Sequence, residues 1–257
     1  MNQPEANPAH IIAIATAMDL EAEPFLALLE SPLTTKVANQ SWTSGTINDV
    51  PVVIVVTGIG LANAAAAAAR THMLFDNALA AYICAGTCGG LGADIKVGQV
   101  IVGDDFLYSR ADATAFGYAP GQVPGSPATF PADSRLVEAF SAAPGGAPIA
   151  AGADIASATD TELRVGQVAS SDAFVTSATV ESTRELFPLA LGADMESTAA
   201  AQVCSQLQVP FVSVRGVSDL CGPRAGEDFH IDAADAAARS AEVVCTRLTG
   251  ALAALSS

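Results

Sequence analysis

Asp194-Met195-Glu196-Ser197 and Ser218-Asp219 bring together the residue types used for acid–base work. Asp194 and Glu196 follow Pro188-Leu189-Ala190-Leu191, which reads as a short buried strand. From Ser197 to Leu207, Ala200, Val203, Cys204 and Leu207 recur at helical spacing. Pro210 ends that helix, and Phe211 to Arg215 reads as a second strand running out at Ser218-Asp219. Strands joined by a helix are expected to run parallel, with their carboxyl ends on the edge where open α/β sheets bind ligands. Glu196 and Asp219 are then expected to face one pocket. The same residues also have a purely structural use. Asp194 or Glu196 suits a helix N-cap or first turn, and Asp219 can cap whatever follows it.

Other elements must position these groups. Ile11 to Ala15 is a fully apolar strand of the kind found inside a parallel sheet, followed by Thr16-Ala17-Met18-Asp19 and a helix over Asp19–Leu29. Ser41–Asn48 and Val52–Thr57 flank Asp49-Val50-Pro51 as a hairpin. Gly58-Ile59-Gly60 leads into a helix from Leu61 to Met73. A phosphate can sit at such a turn, although the third glycine and the Lys-Ser/Thr of phosphate-binding fingerprints are missing. Ala80 to Ala85 is a buried strand ending in Gly86-Thr87-Cys88-Gly89-Gly90-Leu91, either a close backbone approach to a ligand or a tight turn. Val100–Val102 and Leu163–Ala169 are further strands. Ser134–Ala142 and Thr179–Leu186 read as helices, as does Ile231–Leu255, broken at Gly250. Residues 108–131 form a long irregular segment whose Phe116, Tyr118 and Phe130 argue against disorder. Strands alternate with helices throughout. The expectation is one domain over 1–257, with a polar, peripheral 1–9, built as a three-layer α/β/α sandwich on a central twisted mixed sheet.

Composition narrows the function classes. The 257 residues are 51% hydrophobic and 15% charged with a formal charge of −16, enough for a large core and repulsive to phosphate backbones and anionic bilayers. Neither nucleic acid nor a membrane is an expected partner. Five cysteines without metal-like spacing and three scattered histidines point to no metal, no cofactor and a reducing, cytoplasmic setting. Met1 to His10 lacks a signal peptide's basic start and apolar stretch, and no apolar run suffices to span a bilayer.

Taken together, the motifs resemble one family nearly end to end: the 5′-methylthioadenosine/S-adenosylhomocysteine nucleosidases of the purine nucleoside phosphorylase-like superfamily. Ala17-Met18-Asp19-Leu20-Glu21, Gly58-Ile59-Gly60 and Gly86–Leu91 with Lys96-Val97-Gly98 are similar to that family's signatures. So are Thr114–Tyr118, Gly121–Gly125, Ser170–Val175, Met195-Glu196 and Ser218-Asp219. Asp194 stands where the family has Glu, Thr87 where it has Ser, Cys88 where it has Ala, Ser171 where it has Gly, Leu20 where it has an acid and Leu61 where it has Lys.

The resemblance implies hydrolysis of an adenine nucleoside's N-glycosidic bond by water, with an oxocarbenium-like sugar at the transition state. It makes Asp219 the donor of a proton toward adenine N7, Glu21 the base that activates water, and Glu196 the ligand of the ribose hydroxyls. Phe174 stacks on adenine, with Ala173 and Val175 beside it, and Thr87, Gly89, Arg215 and Ser218 border the site. Met18, Ile59, Met195 and Phe229 are candidate walls, although methionine also commonly fills cores. Phe116, Tyr118 and Pro124 wrap the 5′-alkylthio group from the other subunit of a homodimer. Phosphorolysis is the close rival. It needs cations, yet none lies between Met1 and Glu30 or between Lys36 and Arg70, and the strand before Gly86 reads Tyr82-Ile83-Cys84-Ala85, where phosphorylases of this superfamily carry Arg. Arg215 is the charged group near the pocket, or else the structural partner of Asp194. A futalosine-type hydrolase and a regulatory module that binds adenine nucleosides without cleaving them also remain open.

Overall fold

A computed structural model describes residues 10–142, 161–221 and 231–256. The expected peripheral segment 1–9 and Phe229 lie outside the described residues.

Strand β5 (Leu79–Gly90) is the axis of the sheet. On one side it pairs in parallel with β1 (Ile11–Thr16), which pairs in parallel with β4 (Val50–Val56). Antiparallel β3 (Gln40–Ile47) and β2 (Glu30–Val37) complete that wing. On the other side β5 pairs in parallel with β10 (Phe211–Asp219), which is antiparallel to β6 (Val100–Tyr108). From β6 the order runs through β8 (Leu163–Ser170) and β9 (Ala190–Asp194), both parallel steps, and β9 then pairs antiparallel with the end of β5. Five strands therefore close into a ring, with the remaining wing beside it and the two-residue β7 (Phe130–Pro131) on β6.

Helices cover both faces. Helices α1 (Asp19–Leu26), α3 (Ser134–Ser141) and α6 (Ala233–Leu255) pack together on one side, and α2 (Leu61–Phe75) and α5 (Ser197–Leu207) pair on the other. A strand covered twice must be apolar on both faces, which is why β1 has no polar alternation. Its Ile12 and Ile14 belong to one cluster with Phe25, Leu136 and Phe140 of the first side, while Ala13 and Ala15 belong with Ala67, Ala68, Ala200 and Ala201 of the second. Alanine-rich α2 and α5 can therefore approach the sheet closely. Burying a side chain such as Phe25 contributes roughly 1.5–3 kcal/mol. A short helix α4 (Val180–Leu186) closes a third cluster with Leu91, Leu107 and Phe187. Among the described residues no helix is long and apolar enough to cross a membrane.

Several expectations are corrected. Strands β9 and β10 are not a parallel pair: β9 runs against β5 and β10 runs with it. They converge all the same, because Ala193 and Asp219 flank Gly89 from its two sides, a consequence of ring closure rather than of a shared edge. The strand begins at Ala190 and not at Pro188. The Gly86–Leu91 stretch is no turn, since β5 continues through Gly90. The hairpin turns at Asn48-Asp49, both with positive φ (51° and 63°), the backbone of a two-residue loop matched to strand twist. Helix α6 starts at Ala233 and runs unbroken through Gly250. A mid-helix glycine costs about 1 kcal/mol, which the packing of a long helix tolerates. Finally, β2 was not anticipated: all eight of its residues are exposed, so it lacks the apolar alternation that marks a strand.

Candidate active site

Glu21 sits in the first turn of α1, and its carboxylate folds back on the loop leaving β1. Oε2 accepts the Ala17 and Met18 N–H groups at 2.9 and 3.2 Å, half of a capping box. Oε1 accepts both the N–H and the hydroxyl of Thr87 on β5, at 2.8 and 2.9 Å. Glu21 is thus buried to 2% exposure and joined to the central strand. Gly86 makes room for it: φ is +127°, and a Cβ there would meet Oε1 at 2.5 Å. Only glycine combines that backbone with that clearance.

The two carboxylates at the end of β9 divide their work. Asp194 accepts the Ser197 N–H and hydroxyl at the head of α5 and forms a 2.8 Å ion pair with Arg215, with both side chains 1% exposed. The capping role foreseen for this pair therefore falls to Asp194. Glu196 occupies the N-cap position but makes no capping bond. Instead its Oε1 accepts the Gly60 N–H at 2.9 Å and its Oε2 lies 3.4 Å from Arg215. Burial pushes the Glu196 carboxyl up to about 7; Arg215 pulls it down, and the neighbouring Asp194 adds to the rise. Arg215 itself is enclosed, with Nη2 2.9 Å from Cys84 Sγ on β5, the strand that carries no arginine of its own. Burial pushes the Cys84 thiol up to about 12, so it stays neutral beside that cation.

Asp219 ends β10. Its Oδ1 accepts the Cys221 N–H at 2.9 Å and its Oδ2 the Ser218 hydroxyl at 2.9 Å. Those bonds hold the backbone as it leaves β10, and the segment it could cap lies outside the described residues.

These residues open onto one cavity. Met18 and Glu21 line it from the start of α1, Ile59 from the turn before α2, Thr87 and Gly89 from β5. Ala173, Phe174 and Val175 come from the loop after β8, Met195 and Glu196 from the end of β9, Ser218 and Asp219 from the end of β10. The methionine and isoleucine walls are not core residues: Ile59 is 50% exposed, and Met18 and Met195 are half-buried. Phe174 is 78% exposed toward this space. Arg215 lies one layer behind, reaching the cavity through Asp194 and Glu196. Phe116, Tyr118 and Pro124 do not line the cavity of their own chain, and Phe116 is 83% exposed. Sequence reasoning passed over Cys88 and Cys221 as site residues, yet both thiols line the cavity. Their signal was position alone, one beside Gly89 and the other two residues past Asp219.

The turn before α2 does not hold a free anion site. Gly60 gives its N–H to Glu196, and Leu61 gives its N–H to Asp172 Oδ1 at 2.8 Å. Among the described residues, no lysine or arginine lines the cavity. The arrangement presents four carboxylates, Glu21, Asp194, Glu196 and Asp219, with a donor-rich strand end and an apolar wall, which suits a neutral polyol bearing a flat base better than it suits phosphate.

Comparison with known proteins gives the same family as the motifs. The profile of the phosphorylase superfamily matches residues 11–253. A 5′-methylthioadenosine/S-adenosylhomocysteine nucleosidase of Anoxybacillus flavithermus is 36% identical over 234 residues, spanning 91% of this chain and 95% of that one. The Neisseria meningitidis nucleosidase, solved with methylthio-immucillin-A, superposes with a TM-score of 0.80 at 33% identity, covering 93% of this chain and 98% of its own. The Colwellia psychrerythraea nucleosidase, solved with adenine, gives 0.81 at 31% identity over 94% and 96% of the two chains. With matches this extensive on both sequence and structure, the chain belongs to the phosphorylase superfamily and, within it, to the 5′-methylthioadenosine/S-adenosylhomocysteine nucleosidases.

Proposed function

We propose that this protein hydrolyses the N-glycosidic bond of 5′-alkylthio-adenosines, releasing adenine and the free thiosugar. The observation that carries water rather than phosphate as nucleophile is the occupied head of α2. Its leading amides already hold two carboxylates, and among the described residues no cation lines the cavity to receive a third anion.

In this reading the C1′–N9 bond breaks with its electron pair going to the base. Asp219 delivers a proton to N7, so adenine leaves neutral. Glu196 accepts hydrogen bonds from the ribose hydroxyls and, as a carboxylate, favours the positive charge growing on the sugar. Water adds to C1′ from the opposite face and yields its proton to Glu21. Glu21 already takes four hydrogen bonds, three of them from fixed amides. The Thr87 hydroxyl is the one donor that can rotate, so water enters beside it. Phe174 stacks on the base, and Met18, Ile59 and Met195 close around the sugar. Phe229 stays in the reading by resemblance alone.

Incubating the protein with 5′-methylthioadenosine or S-adenosylhomocysteine, with and without phosphate, tests this. Equal adenine release in both is expected. A phosphate requirement, or ribose-1-phosphate chemistry in the product, would overturn hydrolysis.

A second copy completes the site. Phe116 is exposed and points to nothing in its own cavity, and an isolated apolar loop of this kind suits an interface. The partner's Phe116, Tyr118 and Pro124 then enclose the 5′ substituent. Sedimentation is expected to give a homodimer, and a fully active monomer would count against it. The whole chain acts as one nucleosidase domain, and its five free, buried cysteines suit the reducing cytoplasm.

A further inference from the structure

Asp172 takes no part in the chemistry above and does not line the cavity. Its carboxylate nevertheless reaches across the cavity mouth. Oδ1 accepts the Leu61 N–H at 2.8 Å, and it lies so near Gly60 that a Cβ there would come within 2.8 Å of it. Gly60 has φ +104° and gives its own N–H to Glu196. Two consecutive amides at the head of α2 thus hold one carboxylate inside the site and one outside it, each from a different loop.

The residues following Asp172 are the wall Ala173-Phe174-Val175. Val175, at the far end of this wall, packs against the cluster of Leu91, Leu107 and Val180. At its start, Ser171 Oγ donates to the Ala173 carbonyl at 2.8 Å and accepts the Ala173 N–H at 3.3 Å, and beyond Val175 the Thr176 N–H reaches Thr179 Oγ1 at 3.0 Å. Phe174 between them is 78% exposed. The facing wall is Ile59, in the turn that Leu61 follows.

We infer that Asp172 is a positioning residue that fastens the Phe174 wall to the Gly58–Gly60 turn, setting the gap into which the base slides. This rests on the proposed function for what the gap receives. The bond is a carboxylate on a helix N-terminus, so its contribution is modest and local. It acts on substrate capture and leaves the chemical groups where they are.

Two substitutions remove the bond from opposite ends. Asp172→Ala deletes the acceptor. Leu61→Pro deletes the donor at the first position of α2, where proline is well tolerated, and the preceding Gly60 has ψ 161°, as a residue before proline requires. Leu61→Ala controls for the lost side chain. Expected are a rise in KM of roughly 3- to 30-fold with kcat within about twofold in either variant, and the same rise, not its square, in the double variant. Asp172→Asn keeps an acceptor oxygen and should stay within about threefold of wild type. Hydrogen exchange over residues 171–176 should quicken in Asp172→Ala and Leu61→Pro alike. Unchanged KM in Asp172→Ala, multiplying effects in the double variant, or unchanged exchange would each overturn the inference. If wild type released no adenine, the functional reading would fall, and the exchange measurement would still decide whether Asp172 fastens the wall.

Discussion

Replacing Asp219 with asparagine is expected to slow adenine release by about 10²–10⁴-fold, the usual worth of a general acid. Nucleoside affinity should stay within about tenfold, or roughly 1.4 kcal/mol. The geometry explains why the variant is clean. Asp219 accepts one hydrogen bond on each oxygen, from the Cys221 N–H and the Ser218 hydroxyl. A carboxylate has about four acceptor sites, so each oxygen keeps one for the cavity and a proton. Asparagine retains the Cys221 bond through its oxygen, and the Ser218 hydroxyl can turn to accept from the amide. The turn survives and only the carboxyl proton is lost. If Asp219 served the turn alone, turnover would remain near wild type. Rate and binding constant measured on the same folded variant therefore decide its role. Glu21→Gln is expected to lose turnover by a similar order, but less cleanly. Its amide nitrogen would face N–H donors on one side or the other, a mismatch worth about 1–3 kcal/mol of stability.

Arg215→Met should be the most damaging single change to stability, by about 3–5 kcal/mol, because it strands the charges the arginine served. Arg215 is 1% exposed and lies between Asp194 at 2.8 Å and Glu196 at 3.4 Å. Methionine fills some of the volume but leaves two buried carboxyls without their cation. The loss depends on pH with a definite sign. Glu196 already stands at about 7 in the folded protein, chiefly through burial, against an unfolded value of about 4.3. A carboxyl raised on folding costs nothing below its unfolded value and costs progressively more stability as pH rises toward the folded one. Without Arg215 that upper bound moves higher. Urea denaturation should therefore show a larger deficit for Arg215→Met at pH 8 than at pH 5.5. An equal deficit at both would remove the ion pairs from the explanation. In wild type the same carboxyl should give kcat/KM an acid limb near 7, since a protonated Glu196 accepts ribose hydrogen bonds poorly. Arg215→Lys, which keeps the charge with a poorer fork, should retain more stability and shift the limb upward.

The local signals in this chain were strong where one physical rule governs one segment. Helical spacing from Ser197 and the break at Pro210 fixed α5 at Ser197–Leu207, and an unbroken apolar run fixed β1, because a strand covered on both faces has no polar side. The shortage of cations was legible too, since charge is a matter of composition. Everything that depended on a distant neighbour was not. Capping chemistry allowed Asp194 and Glu196 the same role, and the approach of the remote Gly60 N–H to Glu196 separated them. Strand β2 was invisible because its order comes from pairing with β3 and not from burial. The antiparallel placement of β9 against β5, and the ring that brings Ala193 and Asp219 to either side of Gly89, follow from long-range backbone pairing. Side-chain period tells which face of an element is buried but not which element covers it. The sequence by itself therefore determined the family and most of the elements, and it singled out the acids proposed for the chemistry. Only the tertiary structure decided that Asp194 caps α5 while Glu196 reaches to Gly60, because that depends on a donor contributed by a remote segment.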